Sequence, residues 1–534
     1  MKKNPKSPIL QGLAIALALT SLTWSARANV YATNIKVYGS TNSPTVFAGN
    51  NVIISYILNE PASAGVTIKI LSGSTVIRSL AMAAGNPGTF RGANTVTWDG
   101  KNNAGNPVAG GDYACSITAA STGYTVWTQT TSDANPGNQI WEPWGLAVNQ
   151  NTNSFYYGRV FVANSYPQTT APPPFPLDPL GFHKLNADGS PAEEGMLSDG
   201  GYTWTGAPYY ESPFRVKVGP DDRFYALDWS GNGVVMSWDQ QITPASILNV
   251  MTDLNNPGGN LGGFTVTGTA ANRQLWMADN TTSGYGLLRW DIQPGGTLTS
   301  GDQGTQLMQV GGGSDLDDSA FDIAVDKNGK IYVTCEPATT NQYKIMRFPA
   351  YSGTPLTTAD WKLDTTSPID NNFAIAVNPA ATYAAVSLNE SNALLILNAD
   401  TGATITNIPA GNPAHAVAWD NVGNAYIAFD VNLAESLWQA WSPPGANQAT
   451  TAALETIHVL PLPKITSISR NGNNVTIHFT GPATDPASAF VLLSGTVASV
   501  VTNVTSATIT GSGGNYQATL SSSASAQFYR IKRP

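Results

Sequence analysis

Phe321-Asp-Ile-Ala-Val325, followed by Asp326-Lys-Asn-Gly-Lys-Ile-Tyr-Val333, is one of six copies of a unit that recurs from about residue 141 to residue 460. Each copy opens with a short apolar strand that begins at a bulky side chain, and a second strand follows most of the openings. The distances between successive openings range from 42 to 70 residues. The six openings lie at 144–148, 214–218, 264–268, 321–325, 373–377 and 415–419.

Strand-rich units that repeat at roughly 40–50 residues are typical of β-propeller blades, each of which is a four-stranded sheet. Second strands such as Phe224-Tyr-Ala-Leu-Asp228 and third strands such as Leu287-Leu-Arg-Trp-Asp291 recur after the openings. The pattern predicts six blades. The stretch 124–131 is either a strand of a seventh blade or, as we predict, the closing strand that joins the first and last blades.

The composition indicates an all-β chain with several domains. At 534 residues the chain exceeds what one hydrophobic core usually holds. Charged residues make up 11%, against about 25% in an average soluble domain. The 51 glycines and 35 prolines, with the many Ser, Thr and Asn residues between apolar runs, favour short strands joined by turns.

Residues 1–28 have the features of a secretory signal peptide. Three lysines form a basic start, an apolar stretch runs over about 9–22, and Ala26-Arg27-Ala28 provides a small-x-small cleavage site. The apolar stretch is shorter than the roughly 20 residues of a membrane-spanning helix. We therefore predict cleavage before Asn29, no transmembrane segment, and a periplasmic, cell-surface or extracellular location.

The charge and the cysteines exclude two classes of protein. Removal of the first 28 residues lowers the formal net charge from −9 to −13, because four basic residues leave with them. Such an acidic chain is a poor nucleic-acid ligand, since neutralisation of phosphates dominates that affinity. Cys115 and Cys335 fall in different predicted domains, so the sequence contains no disulfide framework.

A short pattern before the propeller resembles a known family. It consists of Trp98-Asp99-Gly100, Asn103, Gly105, Pro107-Val108, Gly111 and Tyr113. This pattern resembles the immunoglobulin-like domain of flagellar hook-capping (FlgD-like) proteins, which implies a spacer or assembly module without catalytic residues. After the stiff linker Leu460-Pro-Leu-Pro463, half-buried strand patterns predict a small C-terminal β-sandwich.

We therefore predict an all-β fold in which a six-bladed propeller is flanked by an N-terminal immunoglobulin-like β-sandwich and a small C-terminal β-sandwich. The predicted limits are 1–28 for the signal peptide, 29–122 for the first sandwich, 123–460 for the propeller and 464–534 for the last domain.

The propeller repeat itself resembles the NHL-repeat and gluconolactonase-like six-bladed families. In the gluconolactonase-like propellers the glutamate of a Glu-Gly-Pro opening binds a divalent cation. Glu142 in Trp141-Glu-Pro and Glu211 in Glu211-Ser-Pro are similar, but phenylalanines occupy the family's asparagine and aspartate slots. We expect no cofactor, and the alternative that the resemblance implies is calcium on Glu142, Glu211 and Asp322.

The bulky side chains that begin the six openings permit two interpretations. They either form an aromatic collar around a pocket at the mouth of the channel, or they pack between neighbouring blades as core aromatics do. His415 differs from the other five because histidine can bind a metal or carry a proton near neutral pH. The chain has four histidines and only His415 lies at an opening, so a multi-histidine metal site is excluded.

Two loops on the same predicted face, 165–179 and 198–211, are rich in aromatic residues and poor in charge. Rings and isolated polar groups suit a sugar or peptide ligand, whereas the alternative is that the loops pack on themselves and shield one end of the channel. The candidate ligand-binding residues are Trp144, Tyr202, Trp204, Tyr209, Tyr210, Glu211, Arg215, Asp322 and His415.

No nucleophile motif and no phosphate-binding glycine loop occurs in the sequence. The sequence therefore favours an exported, non-catalytic protein that binds a glycan or protein ligand. Two alternatives stay open: a cation-dependent lactonase or lyase, and a structural component of an envelope or matrix.

Overall fold

The computed structural model contains only strands and short 3-10 helices over the residues that it describes. These are residues 29–167, 178–204, 212–229, 233–257, 261–269, 271–280, 284–311, 313–316, 319–335, 345–363, 372–389, 391–410, 413–429, 437–524 and 527–533. The 3-10 helices are Pro136–Asn138, Pro244–Ser246, Asp253–Asn255 and Ala487–Ala489. Within these ranges no helix is long and apolar enough to cross a membrane.

The N-terminal sandwich contains seven strands that precede the propeller. They are β1 (Ala32–Val37), β2 (Thr45–Phe47), β3 (Val52–Leu58), β4 (Gly65–Ser72), β5 (Thr75–Met82), β6 (Gly92–Trp98) and β7 (Gly111–Tyr124). One sheet has the order β1-β3-β6. Trp98 is fully buried, its indole Nε1 donates to the Lys101 carbonyl at 2.8 Å, and its ring lies 5.9 Å from that of Tyr113. The Trp98 and Tyr113 of the sequence pattern therefore pack together in this core.

Six four-stranded antiparallel sheets form the propeller, which confirms the predicted fold class. The first three blades contain β9 (Pro143–Val148), β10 (Val160–Asn164), β11 (Gly181–Leu185) and β12 (Leu197–Ser198); β13 (Val216–Val218), β14 (Phe224–Asp228), β15 (Val234–Trp238) and β16 (Leu248–Met251); and β17 (Leu261–Thr267), β18 (Gln274–Asp279), β19 (Leu287–Asp291) and β20 (Thr305–Met308).

The last three blades continue the pattern. They contain β21 (Ala320–Val325), β22 (Ile331–Cys335), β23 (Ile345–Phe348) and β24 (Trp361–Leu363); β25 (Asn372–Val377), β26 (Tyr383–Leu388), β27 (Ala393–Asn398) and β28 (Thr404–Pro409); and β29 (Ala414–Trp419), β30 (Ala425–Phe429), β31 (Leu437–Ser442) and the early strand β8 (Thr128–Gln129).

The strand β8 closes the ring of blades. It pairs with β31 through Gln129–Trp441 and Thr128–Ser442, so a segment that precedes the first blade supplies the outer strand of the sixth. This confirms the predicted closing strand within 124–131. Neighbouring blades cover both faces of the second strands, which explains why β10 and β22 are buried at every position and why their sequences are nearly continuously apolar.

A β-bulge disturbs the inner strand of every blade at the same place. In the fourth blade Ala320 pairs with Cys335 and Asp322 with Thr334, so Phe321 is the extra residue. Counted by this register, the equivalent residues are Trp144, Arg215, Gly262, Phe321, Phe373 and His415. The alignment by aromatic side chains was wrong for two blades, because Phe214 precedes the bulge position and Phe264 follows it.

After the propeller the chain returns to the first sandwich. β32 (Gly445–Ala452) and β33 (Ile457–Leu460) both pair with β7, and the second sandwich sheet has the order β2-β33-β7-β4-β5. The stretch 445–460, which the predicted limits place in the propeller, thus lies in the sandwich sheet. Gly123 is obligatory at this crossing, because a Cβ there would lie 1.8 Å from the Gly445 carbonyl oxygen.

The C-terminal domain is a second, smaller β-sandwich. Its two sheets have the orders β34-β35-β39-β38 and β37-β36-β40. The strands are β34 (Lys464–Asn471), β35 (Asn474–Thr480), β36 (Val491–Val497), β37 (Val500–Asn503), β38 (Thr508–Ser512), β39 (Asn515–Ser521) and β40 (Phe528–Lys532).

Two buried carboxyl groups lie at the junction of the first sandwich with the sixth blade. Glu60 is 1% exposed, and its Oε2 accepts a hydrogen bond from the Tyr124 hydroxyl at 2.6 Å. Burial is the main cause that raises the pKa of Glu60 to about 7, and the Asp420 carboxylate adds to it. Burial likewise raises the pKa of Asp420 to about 6. The folded state therefore binds protons more tightly than the unfolded chain at both sites.

We expect Glu60→Gln to stabilise the protein above neutral pH. Because the folded pKa is raised, stability is lost as pH rises from about 4.5 to about 7. Ionisation of Glu60 in the folded state lowers the free energy of unfolding by at most about 3 kcal/mol. The neutral amide escapes this cost, so melting curves should favour the variant at pH 8 and show little difference at pH 4.

Glu193→Gln is the matched control, because Glu193 is exposed and Lys36 lowers the pKa of its carboxyl. It should not gain stability at pH 8. A Glu60→Gln difference that is the same at both pH values would contradict the assignment.

Candidate functional site

Arg215 lies across one end of the propeller channel. The residue is 2% exposed, and its guanidinium Nη1 donates to the carbonyl oxygens of Trp144 at 2.6 Å and His415 at 2.9 Å. The same group lies 4.3 Å from the centre of the Phe214 ring and 5.6 Å from that of Phe321. Arg215 therefore connects its own blade with the first, fourth and sixth blades. We call these five residues the plug.

The rings of the plug contact one another. Trp144 lies 4.0 Å from the His415 ring and 5.5 Å from the Phe214 ring, and Phe214 also stacks on Trp229. Of the two interpretations of the opening residues, packing between blades describes these side chains. The Phe373 side chain lies outside the described part.

His415 is a buried, neutral member of the plug. Burial, together with the smaller effect of the Arg215 cation, lowers the pKa of its imidazole to about 3. At neutral pH the ring is uncharged and contributes packing area rather than charge.

Asp322 holds two neighbouring inner strands together. It is fully buried, and its carboxylate accepts main-chain N–H groups from Ile323 at 2.9 Å and Ile375 at 3.0 Å. Its register equivalents in the other blades are Gly, Val or Ala, and a Cβ on Gly263 would lie 2.0 Å from Asp322 Oδ1. The carboxylate thus satisfies donors on the inner edges of two blades.

Of the three carboxylates named for calcium, Glu142 and Asp322 lie in the described structure, and both accept hydrogen bonds from the protein. Calcium takes about six to eight oxygen ligands. Asp322 already uses both oxygens on main-chain donors, and Glu142 Oε2 accepts the Trp144 indole N–H at 3.3 Å. Glu211 lies outside the described residues. Within them, no group of three or more His, Cys, Asp or Glu could hold a metal ion.

The loop residues fall into two groups. Tyr202 and Trp204 pack against the first two blades, where the Tyr202 hydroxyl bonds Asp228 Oδ2 at 3.2 Å and the Trp204 indole bonds the Asp199 carbonyl at 3.1 Å. Tyr209, Tyr210 and Glu211, with most of the loop 165–179, lie outside the described residues, so their role stays a prediction.

The other end of the channel is open. A cavity of about 420 Å³ is lined there by residues from all six inner strands and the turns after them. Gln150, Asn151 and Asn421 supply amides, and Thr265 supplies a hydroxyl. Lys217 and apolar side chains complete the lining, and small side chains such as Ala376 keep the channel wide. We call this cavity the open end.

Lys217 is the one charged residue among the described residues that line the open end. Its register equivalents are apolar: Leu146, Phe264, Ile323, Ile375 and Val417. Burial lowers the pKa of its ammonium, and the nearby Asp322 carboxylate opposes that effect. Neither this lysine nor the open end was among the predicted site residues, although a lysine in an otherwise apolar repeat column was a signal that the sequence contained.

We expect Arg215→Met to destabilise the protein by about 3 kcal/mol, because it removes a charge-assisted bridge and leaves two buried carbonyl groups without that donor. Arg289→Met is the control: its guanidinium lies over Trp276 and Tyr351, as Arg215 lies over Phe214 and Phe321. We expect a loss below about 1 kcal/mol there. Urea unfolding measures both, and equal losses would contradict the bridging role.

A family model matches part of the chain. Residues 39–123 match the FlgD Ig-like domain, in agreement with the resemblance that the sequence showed for the first sandwich. The match covers β2 to β7 and ends where the chain enters the propeller. No curated protein matches the chain.

Three solved structures are similar to the chain at low identity and low TM-score. The Cps50 (Swd1) β-propeller domain of Myceliophteria thermophila is 10% identical, with 78% of this chain and 99% of that chain covered and a TM-score of 0.34. The Kuenenia stuttgartiensis hydrazine synthase is 10% identical, with 57% of this chain and 95% of that chain covered and a TM-score of 0.34. A putative 6-phosphogluconolactonase of Bacteroides uniformis is 13% identical, with 72% of this chain and 98% of that chain covered and a TM-score of 0.31. These scores support no inference about activity. Residues 39–123 are thus similar to a FlgD Ig-like domain, and they precede a six-bladed propeller.

Proposed function

We propose that this chain is an exported, non-catalytic binding protein whose propeller binds a glycan at the open end of its channel. The observation that carries the proposal is the cavity of about 420 Å³ to which all six blades contribute. Its volume falls in the range of about 300–1,000 Å³ that is usual for small-molecule sites.

The lining of the open end favours binding over catalysis. Glycosidic and acyl-transfer chemistry requires an acid and base pair or a nucleophile with its base. The described lining contains no carboxylate, histidine or cysteine, and its polar groups are amides, one hydroxyl and one ammonium. Such groups hydrogen-bond hydroxyl and carbonyl groups of a ligand, while the apolar wall covers its C–H faces.

We locate the ligand at the open end rather than at the loops of blades one and two. The described candidates for that face, including Trp144, Arg215 and His415, are members of the plug and already contact one another. The NHL-repeat type of the propeller stays a prediction. In this proposal the two sandwiches are spacers that present the propeller outside the cytoplasm.

Blocking the open end should abolish binding. Thr265 lies half-buried on the inner strand β17 and lines the cavity, so Thr265→Phe should lower the affinity for a bound glycan at least about tenfold, or 1.4 kcal/mol. Ligands are first found on a glycan array and then measured by titration calorimetry.

Thr406→Phe is the matched control, because Thr406 is also a half-buried strand threonine but lies on the outer strand β28. It should leave affinity unchanged. If Thr265→Phe lowers the melting temperature, Ala376→Leu is the milder block. Equal affinity in the wild type and both cavity variants, or the absence of any glycan ligand, would overturn the proposal.

A further inference from the structure

The Lys217 side chain lies inside the channel wall, where an ammonium group loses part of its hydration. Desolvated ammonium groups are normally paired with a carboxylate or hydrogen-bonded to carbonyl groups. Among the described residues Lys217 makes no hydrogen bond and no ion pair, although it lies close enough to Asp322 to feel its charge.

Asp322 does not neutralise Lys217 by direct contact. Both carboxylate oxygens of Asp322 accept main-chain N–H groups, from Ile323 and from Ile375. These bonds fix the carboxylate on the inner edges of the fourth and fifth blades. The Lys217 ammonium therefore keeps its donors available on the side of the cavity.

We propose that the open end recognises an acidic sugar unit, a uronate, whose carboxylate pairs with Lys217. This inference rests on the proposed function and names the ligand class of the same site. Asn151 follows the inner strand of the first blade, next to the blade of Lys217, and Asn421 follows that of the sixth; their amides provide hydrogen-bonding groups for the ring hydroxyls. Ala324 and Ala376, on blades four and five, provide the apolar wall.

The acidic character of the whole chain does not oppose this assignment at physiological salt. The formal net charge is −9, and −13 without residues 1–28. At 0.15 M ionic strength the Debye length is about 8 Å, so distant surface charges are largely screened. A pair formed inside the channel is screened much less, so Lys217, the one charged residue of the described lining, can decide the selectivity.

The test compares glucuronate with glucose, which differ in charge, on the full exported chain. Titration calorimetry should show that wild type binds glucuronate at least about tenfold more tightly. Lys217→Met keeps the length of the side chain and should remove that preference, while Lys217→Arg should retain part of it. Lys362→Met is the control, because Lys362 lies on the outer strand β24 and pairs with Asp315.

The outcomes separate this inference from the proposed function. If neutral glycans bind and Thr265→Phe blocks them, but glucuronate gains nothing from its charge, only the inference about Lys217 fails. A preference for glucuronate that survives Lys217→Met also overturns the inference. If glucuronate, glucose and the arrayed glycans all fail to bind at the open end, both proposals fail.

Discussion

The pairing of Tyr124 with Gly445 holds the two ends of the propeller side by side. The chain leaves the sandwich at β7, builds six blades and returns to pair with the same strand. Closing so long a loop costs conformational entropy, although the cost grows only slowly with length. The strand pairs between β7 and the returning β32 and β33 offset that cost, and β8 then closes the ring on β31. The sandwich therefore holds together the chain segments that enter and leave the propeller.

The N-terminal residues of the sandwich reinforce the same junction. The main-chain N–H of Asn29 donates to Ser442 Oγ at 3.0 Å. The main-chain carbonyl of Asn29 accepts hydrogen bonds from the side-chain amides of Asn59 and Asn424. Ser442 also pairs with Thr128 of the closing strand. Polar groups buried at such a junction must be satisfied as a set, because each unpaired one costs about 1–3 kcal/mol. Closure of the ring and docking of the sandwich are thus energetically coupled.

Local patterns in the sequence were sufficient to predict the blades. They did not predict the register between strands or the pairing of distant strands. The apolar openings and the turns after them are local signals, and they led to six blades and to the closing strand. Which residue of an opening lies on the bulge depends on pairing with the next strand, so Phe214 and Phe264 were matched by side-chain type to positions that Arg215 and Gly262 occupy. Nothing local in the sequence of β32 indicates that its partner strand lies more than 300 residues earlier.

The two ends of the channel differ because side-chain size differs along the inner strands. At the bulge, large side chains from four blades converge and fill the channel. Arg215 donates there to the carbonyl groups of two bulge residues, Trp144 and His415. Toward the other end the strands carry Ala147, Ala324, Ala376 and Ala418, which leave the cavity open. The sequence signal for a site was therefore not the abundance of aromatic residues, which stabilise the closed end. For the proposed site at the open end, the signal is Lys217, which lines the cavity and whose register equivalents in the other five blades are apolar.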